Sequence, residues 1–564
     1  MRRLLFLAAL SGCSAPPAPE PLFTEEAPTA SPLPAAGPRF EDASARLGEV
    51  VHHAGRSDQR LMPEVLSGGV GLVDVNRDGA LDVVLVDGGR LAGGPPAPEG
   101  RTRLLLGDGH GAFSDATDAW GLDHRGYGYG VAAGDVDGDG WIDLYLTGLS
   151  GAERLLRNTG SGFVDATAAW GLAPDGWSTS AAFLDADEDG DLDLYVARYV
   201  VFSPTDAVAC HFRSIHIYCT PALYEALPDR FYRNEGGRFV DATTEAGLAG
   251  YDGKGLAVTT GDLDDDGHTD LYVANDITRN LLFRGRGDGT FEEAGVRAGV
   301  AFSQVGREQA SMGAAVADAD GDGDWDLAVT NFQGEPTALY TAASSSYRER
   351  SDALGLGAPS RERLSFGVEW LDVDNDGDED LLQANGHIAD NVATYREGVT
   401  FAQPNDLFLN RGGTLRRTVG GEALEVAGVS RGLAVGDVDG DGGLDYLVGN
   451  NDGPPQLALN RTADRGHWLV LWLDGRSPVG ARVTARVGDR TLRREVRGAS
   501  SYLSVSSRFV HLGLGDAAAV DELTVRWPDG TAWTGSSVEA DRHLRLVPGG
   551  EPVPYAPGEQ VLPP

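Results

Sequence analysis

No stretch of this 564-residue chain is long and apolar enough to cross a bilayer as a helix. Positive charge is scarce: 46 Lys and Arg stand against 85 Asp and Glu, a formal net charge of −39. Nucleic-acid binding needs clustered Lys and Arg to displace counterions, so that class is disfavoured. His-Glu-x-x-His and a phosphate-cradling glycine loop are both missing. Their absence removes common signatures of zinc-protease and nucleotide sites. Only three cysteines occur, and each has a separate reading.

What the chain has in plenty is one acidic pattern, Asp-x-(Asp/Asn)-x-Asp-Gly-x-x-Asp, followed each time by a short apolar run. Its first, third, fifth and ninth positions are Asp74, Asn76, Asp78, Asp82; Asp135, Asp137, Asp139, Asp143; Asp185, Asp187, Asp189, Asp193; and Asp262, Asp264, Asp266, Asp270. The last three copies carry Asp318, Asp320, Asp322, Asp326; Asp372, Asp374, Asp376, Asp380; and Asp437, Asp439, Asp441, Asp445. Carboxylates this crowded repel one another unless a cation sits among them. All-oxygen ligands on a flexible loop suit Ca²⁺, whereas Mg²⁺ demands tighter octahedral geometry. Glycine at the sixth position permits the turn that wraps an ion. Up to seven Ca²⁺ are therefore expected, and seven would bring the formal charge from −39 to −25. Asn76 keeps an oxygen but loses a charge, so the first loop is the weakest candidate.

The chain ends read differently. Met1-Arg2-Arg3 and the apolar run Leu4–Leu10 have the layout of a secretory signal. Leu10-Ser11-Gly12-Cys13 resembles a bacterial lipobox, which implies cleavage before Cys13 and lipidation of its thiol; a small-residue signal-peptidase site is the alternative. If the lipobox holds, Ser14 favours the outer membrane. Export makes a Cys210–Cys219 disulfide the expected pairing. A zinc site using His211 and His216 is the alternative, disfavoured by spacing. Residues 14–38, with eight prolines, read as an extended tether, and 549–564 as a loose Pro-rich tail.

Between them a repeat is legible. Each acidic loop precedes a strand-like run such as Asp143-Leu144-Tyr145-Leu146. A Leu-x-x-Asn/Gly element follows, at Leu104, Leu155, Phe231, Leu281, Leu339, Leu407 and Leu457. Next comes Phe-x-Asp-Ala-Thr, clearest at Phe113, Phe163 and Phe239 and weaker at Phe291, Tyr347 and Leu415. Short β-like runs at a period of 50 to 77 residues point to propeller blades of about four strands. An EF-hand array is excluded, because the twelfth positions include Leu85, Leu146, Val196 and Val273 and the flanks are not helical. The last repeat lacks its Phe element, while an orphan copy, Phe40-Glu41-Asp42-Ala43-Ser44, precedes the first loop. The N-terminus is therefore expected to complete the last blade and remove an exposed strand edge. The prediction is all-β: a seven-bladed β-propeller over 39–462, then a small β-sandwich-like domain over 463–548. Strands there are expected at 467–473, 481–487, 491–497, 508–512 and 522–527.

These motifs resemble the FG-GAP/VCBS (integrin-α type) repeat. Gly498-Ala499-Ser500-Ser501-Tyr502, His511-Leu512-Gly513-Leu514-Gly515 and Trp527-Pro528-Asp529-Gly530 resemble the ASPIC/UnbV domain. This domain order is similar to the cartilage acidic protein family, which implies a calcium-binding extracellular scaffold and no established reaction. The expected function is a surface-anchored scaffold or adhesion-type protein, not an enzyme, binding a protein or glycan through propeller loops. Its only membrane attachment would be a lipid anchor. The alternatives are a polysaccharide lyase or hydrolase with a site in the propeller funnel, and a purely structural envelope component. No catalytic residue is nominated. His52, His53 and Glu64 are read as closing the ring or lining a propeller face, His387 as a turn or funnel residue, and Arg286-Gly287-Asp288 as an ordinary turn. The rings of Tyr127, Tyr129 and Trp177 fit either a glycan face or packing between blades.

Overall fold

The computed structural model describes residues 37–91, 99–343, 345–475 and 477–559. The expected signal segment, Cys13 and nearly all of the tether lie outside the described residues.

Residues 40–460 form seven four-stranded antiparallel sheets built to one plan. The innermost strand of each, such as Gly128–Gly134 or Ser365–Leu371, is wholly buried. An acidic loop follows, and the second strand starts on the loop's ninth residue, as in Asp143–Gly148 and Asp380–Asn385. The Leu-x-x-Asn/Gly element is the third strand, and the Phe element the short fourth one, Phe163–Asp165 in the second sheet. Neighbouring innermost strands touch in sequence, and Val70–Val73 touches Ser430–Gly436, which closes a ring. This is a β-propeller. Seven apolar clusters occupy the gaps between successive sheets; one brings together Leu371, Leu382, Leu433 and Tyr446. At the seam Phe40–Asp42 pairs with Gln456–Asn460, Phe40 opposite Asn460, so the N-terminal strand completes the last sheet.

The distal strands form a sandwich. One sheet is ordered Val510–Gly515, His467–Leu473, Arg542–Leu546, Val553–Pro554; the other Arg490–Glu495, Arg482–Val487, Ala519–Arg526, Ala532–Glu539. Leu469, Leu471, Val483, Leu512, Leu523 and Trp527 lie in its core. Ala532–Glu539 and the strands after it were not expected. The former carries Gly, Ser and Thr with no clear apolar alternation, because it is an edge strand with mostly exposed residues. The tail is not loose as far as 559: Val553 pairs with Arg545, and Tyr555 packs on Trp472 and His543.

The sandwich also sends a segment into the ring. Residues 498–508, between Arg490–Glu495 and Val510–Gly515, run through the propeller's central channel. Val131 N donates to Leu503 O (3.1 Å), Leu72 N to Val505 O (3.0 Å), Ser501 N to Ala314 O (2.7 Å) and Ser507 N to Val435 O (3.0 Å). Ser180 Oγ accepts from Leu503 N, Thr259 Oγ1 donates to Ala499 O, and Val368 N donates to Ser501 Oγ. Innermost strands of all seven sheets thus bond to one plug. At its tip Tyr502 and Leu503 join an apolar cluster with Tyr129, Trp177, Phe366 and Met62.

Candidate metal loops and the face they form

Each acidic loop is held by its own carboxylates. The first Asp accepts a hydrogen bond from the sixth-position glycine amide, at 2.7 to 3.1 Å in all seven copies. That glycine has φ between +76° and +105°, a region closed to most side chains. The fifth Asp accepts from the amide two residues on, as Asp139 does from Trp141 (3.0 Å). The ninth Asp ties three pieces together. Asp380 Oδ2 accepts from Val373 N in the loop (3.1 Å), and its Oδ1 from Asn410 N on the third strand (2.7 Å). The same pair of bonds recurs at Asp82, Asp143, Asp193, Asp270, Asp326 and Asp445. The ninth position is therefore a sheet staple as well as a candidate ligand.

Carboxylate oxygens converge in groups that could hold a metal ion. Asp135, Asp137 and Asp143 bring theirs within 4.8 Å of one another, as do Asp185, Asp187 and Asp189, and Asp262, Asp264 and Asp266. Asp318, Asp320 and Asp322, and Asp372, Asp374 and Asp380, do the same. Burial, reinforced by like charge, pushes the Asp74 and Asp135 carboxyls up to about 7. Burial likewise raises Asp143, Asp193 and Asp326 to about 8. A cation among them would reverse that cost. The donor set fits such an ion by a second test. Asp185, Asp264, Asp318, Asp320, Asp374 and Asp439 each leave one buried Oδ1 with no hydrogen-bond partner. Buried acceptors are rarely left unmet. A hard, oxygen-seeking cation would satisfy them.

The loops are not equivalent. In five copies an arginine at the end of the third strand reaches the third-position carboxylate: Arg157 to Asp137, Arg233 to Asp187, Arg284 to Asp264, Arg411 to Asp374 and Arg461 to Asp439. In the first loop Asn76 Nδ2 donates to Asp78 Oδ2 (2.8 Å). Sequence reading also missed the fourth position, which has positive φ in every copy: Arg77, Gly138, Glu188, Asp265, Gly321, Asn375 and Gly440. Its side chains bridge outward. Arg77 Nη2 donates to both oxygens of Asp474 (2.9 and 2.8 Å), and Asn375 Nδ2 to Gly442 O (3.1 Å). The mixed chemistry at this position is why no motif stood out.

The loop face is the docking face of the sandwich. Arg482 donates to Gly267 O (3.0 Å) and pairs with Asp262 (2.8 Å). Arg490 binds Asp376 O (2.5 Å) and Asp378 (2.6 Å), and Arg493 binds Gly323 O and Asp265. His511 Nε2 meets Gly442 O (3.1 Å), and Gly558 N donates to Asp78 O (2.9 Å).

Apart from the Arg286–Asp288 turn, which lies between a third and a fourth strand beside the acidic loops, the remaining candidates sit at the other end of the strands, in connections into the innermost strand or after the second. Cys210 and Cys219 form a disulfide across the hairpin Cys210–Phe212/Ile215–Ile217. His211 and His216 stack there with ring centres 5.0 Å apart. His53 Nδ1 meets Asp87 (3.0 Å), Glu64 accepts from the Ser57 and Tyr218 hydroxyls, and His387 Nδ1 accepts from Ala389 N. Burial pushes the His52 and His387 imidazoles down to about 4, so they stay neutral at ordinary pH. Tyr127, Tyr129 and Trp177 are buried, with Tyr129 packed tilted against both of the others. Arg286-Gly287-Asp288 is a turn in which Asp288 accepts from Thr290 N and Oγ1.

An FG-GAP-like repeat model matches residues 74–146, 135–196 and 262–329, and an ASPIC and UnbV model matches 474–553. The chain thus carries FG-GAP-like repeats followed by an ASPIC and UnbV domain. It is similar to cartilage acidic protein 1 of Homo sapiens, 30% identical over 314 residues, which is 51% of this chain and 43% of that protein. The Mus musculus protein of the same name is 29% identical over 312 residues, 51% of this chain and 44% of that protein. The chain spans less than half the length of these relatives. Among solved structures, an Agrocybe aegerita lectin that recognises non-reducing terminal N-acetylglucosamine aligns at TM-score 0.37 and 16% identity, over 64% of this chain and 88% of its own. A Bacillus licheniformis rhamnogalacturonan lyase aligns at TM-score 0.30 and 13% identity, over 89% and 93%.

Proposed function

We propose that this chain of FG-GAP-like repeats and an ASPIC/UnbV domain is a calcium-stabilised, exported scaffold or adhesion-type protein. The observation that carries the reading is the set of buried, unpartnered carboxylate oxygens in the acidic loops. Asp74, Asp78, Asp82 and their counterparts would hold the ions, and bound Ca²⁺ would supply fixed positive charge where like charges crowd. The chain's own residues do the rest: the ninth Asp staples loop to sheet, and the sandwich arginines grip loop carbonyls. The seven sheets are read as seven blades. Anchoring through Cys13 belongs to the same reading.

Partner contact is assigned to the end opposite the loops, because the loop face is covered. The disulfide insert there exposes Val201, Val208, Phe212 and Leu223. A polysaccharide-cleaving site in the funnel is not favoured, since residues 498–508 occupy the channel. Equilibrium binding of the calcium-loaded protein to arrays of secreted proteins and envelope glycans tests the reading. Specific binding lost on substituting Phe212 supports it; silence across both classes, with or without chelator, defeats it.

A further inference from the structure

Where the plug leaves the sandwich, a cavity of about 150 Å³ lies between the two domains. The propeller contributes Glu369, from the innermost strand Ser365–Leu371, and Glu379, from the sixth loop. The sandwich contributes Arg494, Glu495, Arg497, Arg508 and His511.

The lining is unusual for what it leaves unmet. Arg497 Nε and Nη2, Arg508 Nε and Nη1, and Arg494 Nη2 are all buried without a hydrogen-bond acceptor. Glu379 Oε2 and Glu495 Oε2 are buried without a hydrogen-bond donor, though each lies 3.3 to 3.4 Å from a guanidinium nitrogen. His511 Nε2 is committed to Gly442 O, which leaves its buried Nδ1 as an acceptor. Five donor nitrogens and three acceptor atoms therefore line the void, of which Arg497 Nη2 and Glu495 Oε2 already form an ion pair at 3.4 Å. Burial drives the Arg508 guanidinium down to about 10 and lowers Arg497 as well, against the opposing pull of Glu495, Glu379 and Glu369 on Arg497. A guanidinium buried without acceptors is costly, and the fork geometry of arginine matches oxyanions.

We propose that this interdomain cavity binds one small tetrahedral oxyanion of the phosphate class. Its oxygens would accept from Arg494, Arg497 and Arg508, and its protonated oxygen would donate to Glu495 or Glu379. Bound there, the anion would bridge sandwich and propeller at the root of the plug. The competing occupant is a cluster of waters, for which a polar cavity this large has room.

Equilibrium dialysis of the full, calcium-loaded chain against radiolabelled orthophosphate, kept below calcium phosphate saturation, decides the matter. The expected result is one phosphate per chain, displaced by sulfate and not by equal chloride. Arg497→Gln should weaken binding about tenfold or more, the loss expected for charge-assisted bonds. Glu369→Gln, which removes a negative charge beside the site, should tighten it. No retained phosphate overturns the proposal in favour of water, and phosphate retained equally by both variants places it elsewhere and overturns it too. Should Arg497→Gln fail to fold, Glu369→Gln alone decides, an unchanged affinity being the refuting result.

Discussion

Replacing Tyr502 by alanine should release the sandwich from the ring. Tyr502 is fully buried at the tip of the plug; its hydroxyl donates to Leu66 O (2.8 Å) and its ring packs edge-on against Phe366 at 5.1 Å. Truncating a large buried aromatic costs about 3–5 kcal/mol. The orphaned Leu66 carbonyl adds roughly 1–3 kcal/mol unless water reaches it. Tyr502→Phe isolates that second effect and should cost roughly 1–3 kcal/mol. A chain of this size need not unfold in one step, so the loss is best read as undocking. Calorimetry should show the sandwich melting ahead of the propeller in Tyr502→Ala, with residues 496–509 newly open to limited proteolysis. A variant whose melting profile and cleavage pattern match the parent would refute the plug as the element that joins the domains.

Chelation should act on the same joint from the other side: EDTA should lower the melting temperature and open residues 496–509, with Ca²⁺ restoring both better than Mg²⁺. At ten times Kd each ion contributes roughly 1.4 kcal/mol, so even partial occupancy of the loops is measurable. Metal analysis finding no calcium, with melting indifferent to EDTA, would sink that expectation. Burial raises the Glu369 carboxyl from 4.5 to about 7, so the folded chain holds that proton more tightly than the unfolded one. Stability from this group is full below about pH 4.5 and lost as pH rises through about 7, by at most roughly 3 kcal/mol. Glu369→Gln should therefore match the parent at low pH and exceed it above neutrality in urea titrations; an equal decline in both would refute the assignment. Opening the Cys210–Cys219 disulfide by Cys→Ser at both positions should loosen the hairpin by about 2–3 kcal/mol. Proteolysis should rise at the hairpin while the EDTA-sensitive melt stays put, and a shifted melt would contradict a purely local role.

The repeating part of the fold was legible because local chemistry dictates it. A ninth-position Asp before Leu-Tyr-Leu marks where a strand begins, since that carboxylate must reach two backbone amides. Phe40-Glu41-Asp42 announced ring closure because an unpaired Phe element has one place to go. What stayed hidden depends on contacts remote in sequence. Gly498-Ala499-Ser500-Ser501-Tyr502 carries no periodicity of its own; its small residues are explained only by the close approach of Gly498 to Phe183 O and of Ser501 to Ala314. Arg77 and Asp474 meet across 397 positions, and nothing near either residue signals the other. The arginines beside the third-position carboxylates were visible in the sequence, yet their role needed the third strand to be placed against the loop.

Magnitudes also decide how the loop face works. Arg77 with Asp474 is a buried ion pair joining the domains, but others are wet: Arg490 with Asp378, and Arg493 with Asp265, keep between about a quarter and over half of the side-chain surface of one or both partners exposed. Pairs of that kind contribute about 0–1 kcal/mol each and weaken with salt. A plug that buries Tyr502, Leu503 and Val505 and bonds to every innermost strand outweighs them. The arginines then serve to set the rotation of the sandwich on the ring, each choosing one loop. Because they bind carbonyls of those loops, at Gly267, Gly323 and Asp376, loop shape and docking angle are coupled. An ion that stiffens a loop therefore also fixes where the sandwich sits. The acidic loops would support a bound partner indirectly, by holding the opposite end of the ring rigid, without touching the partner themselves.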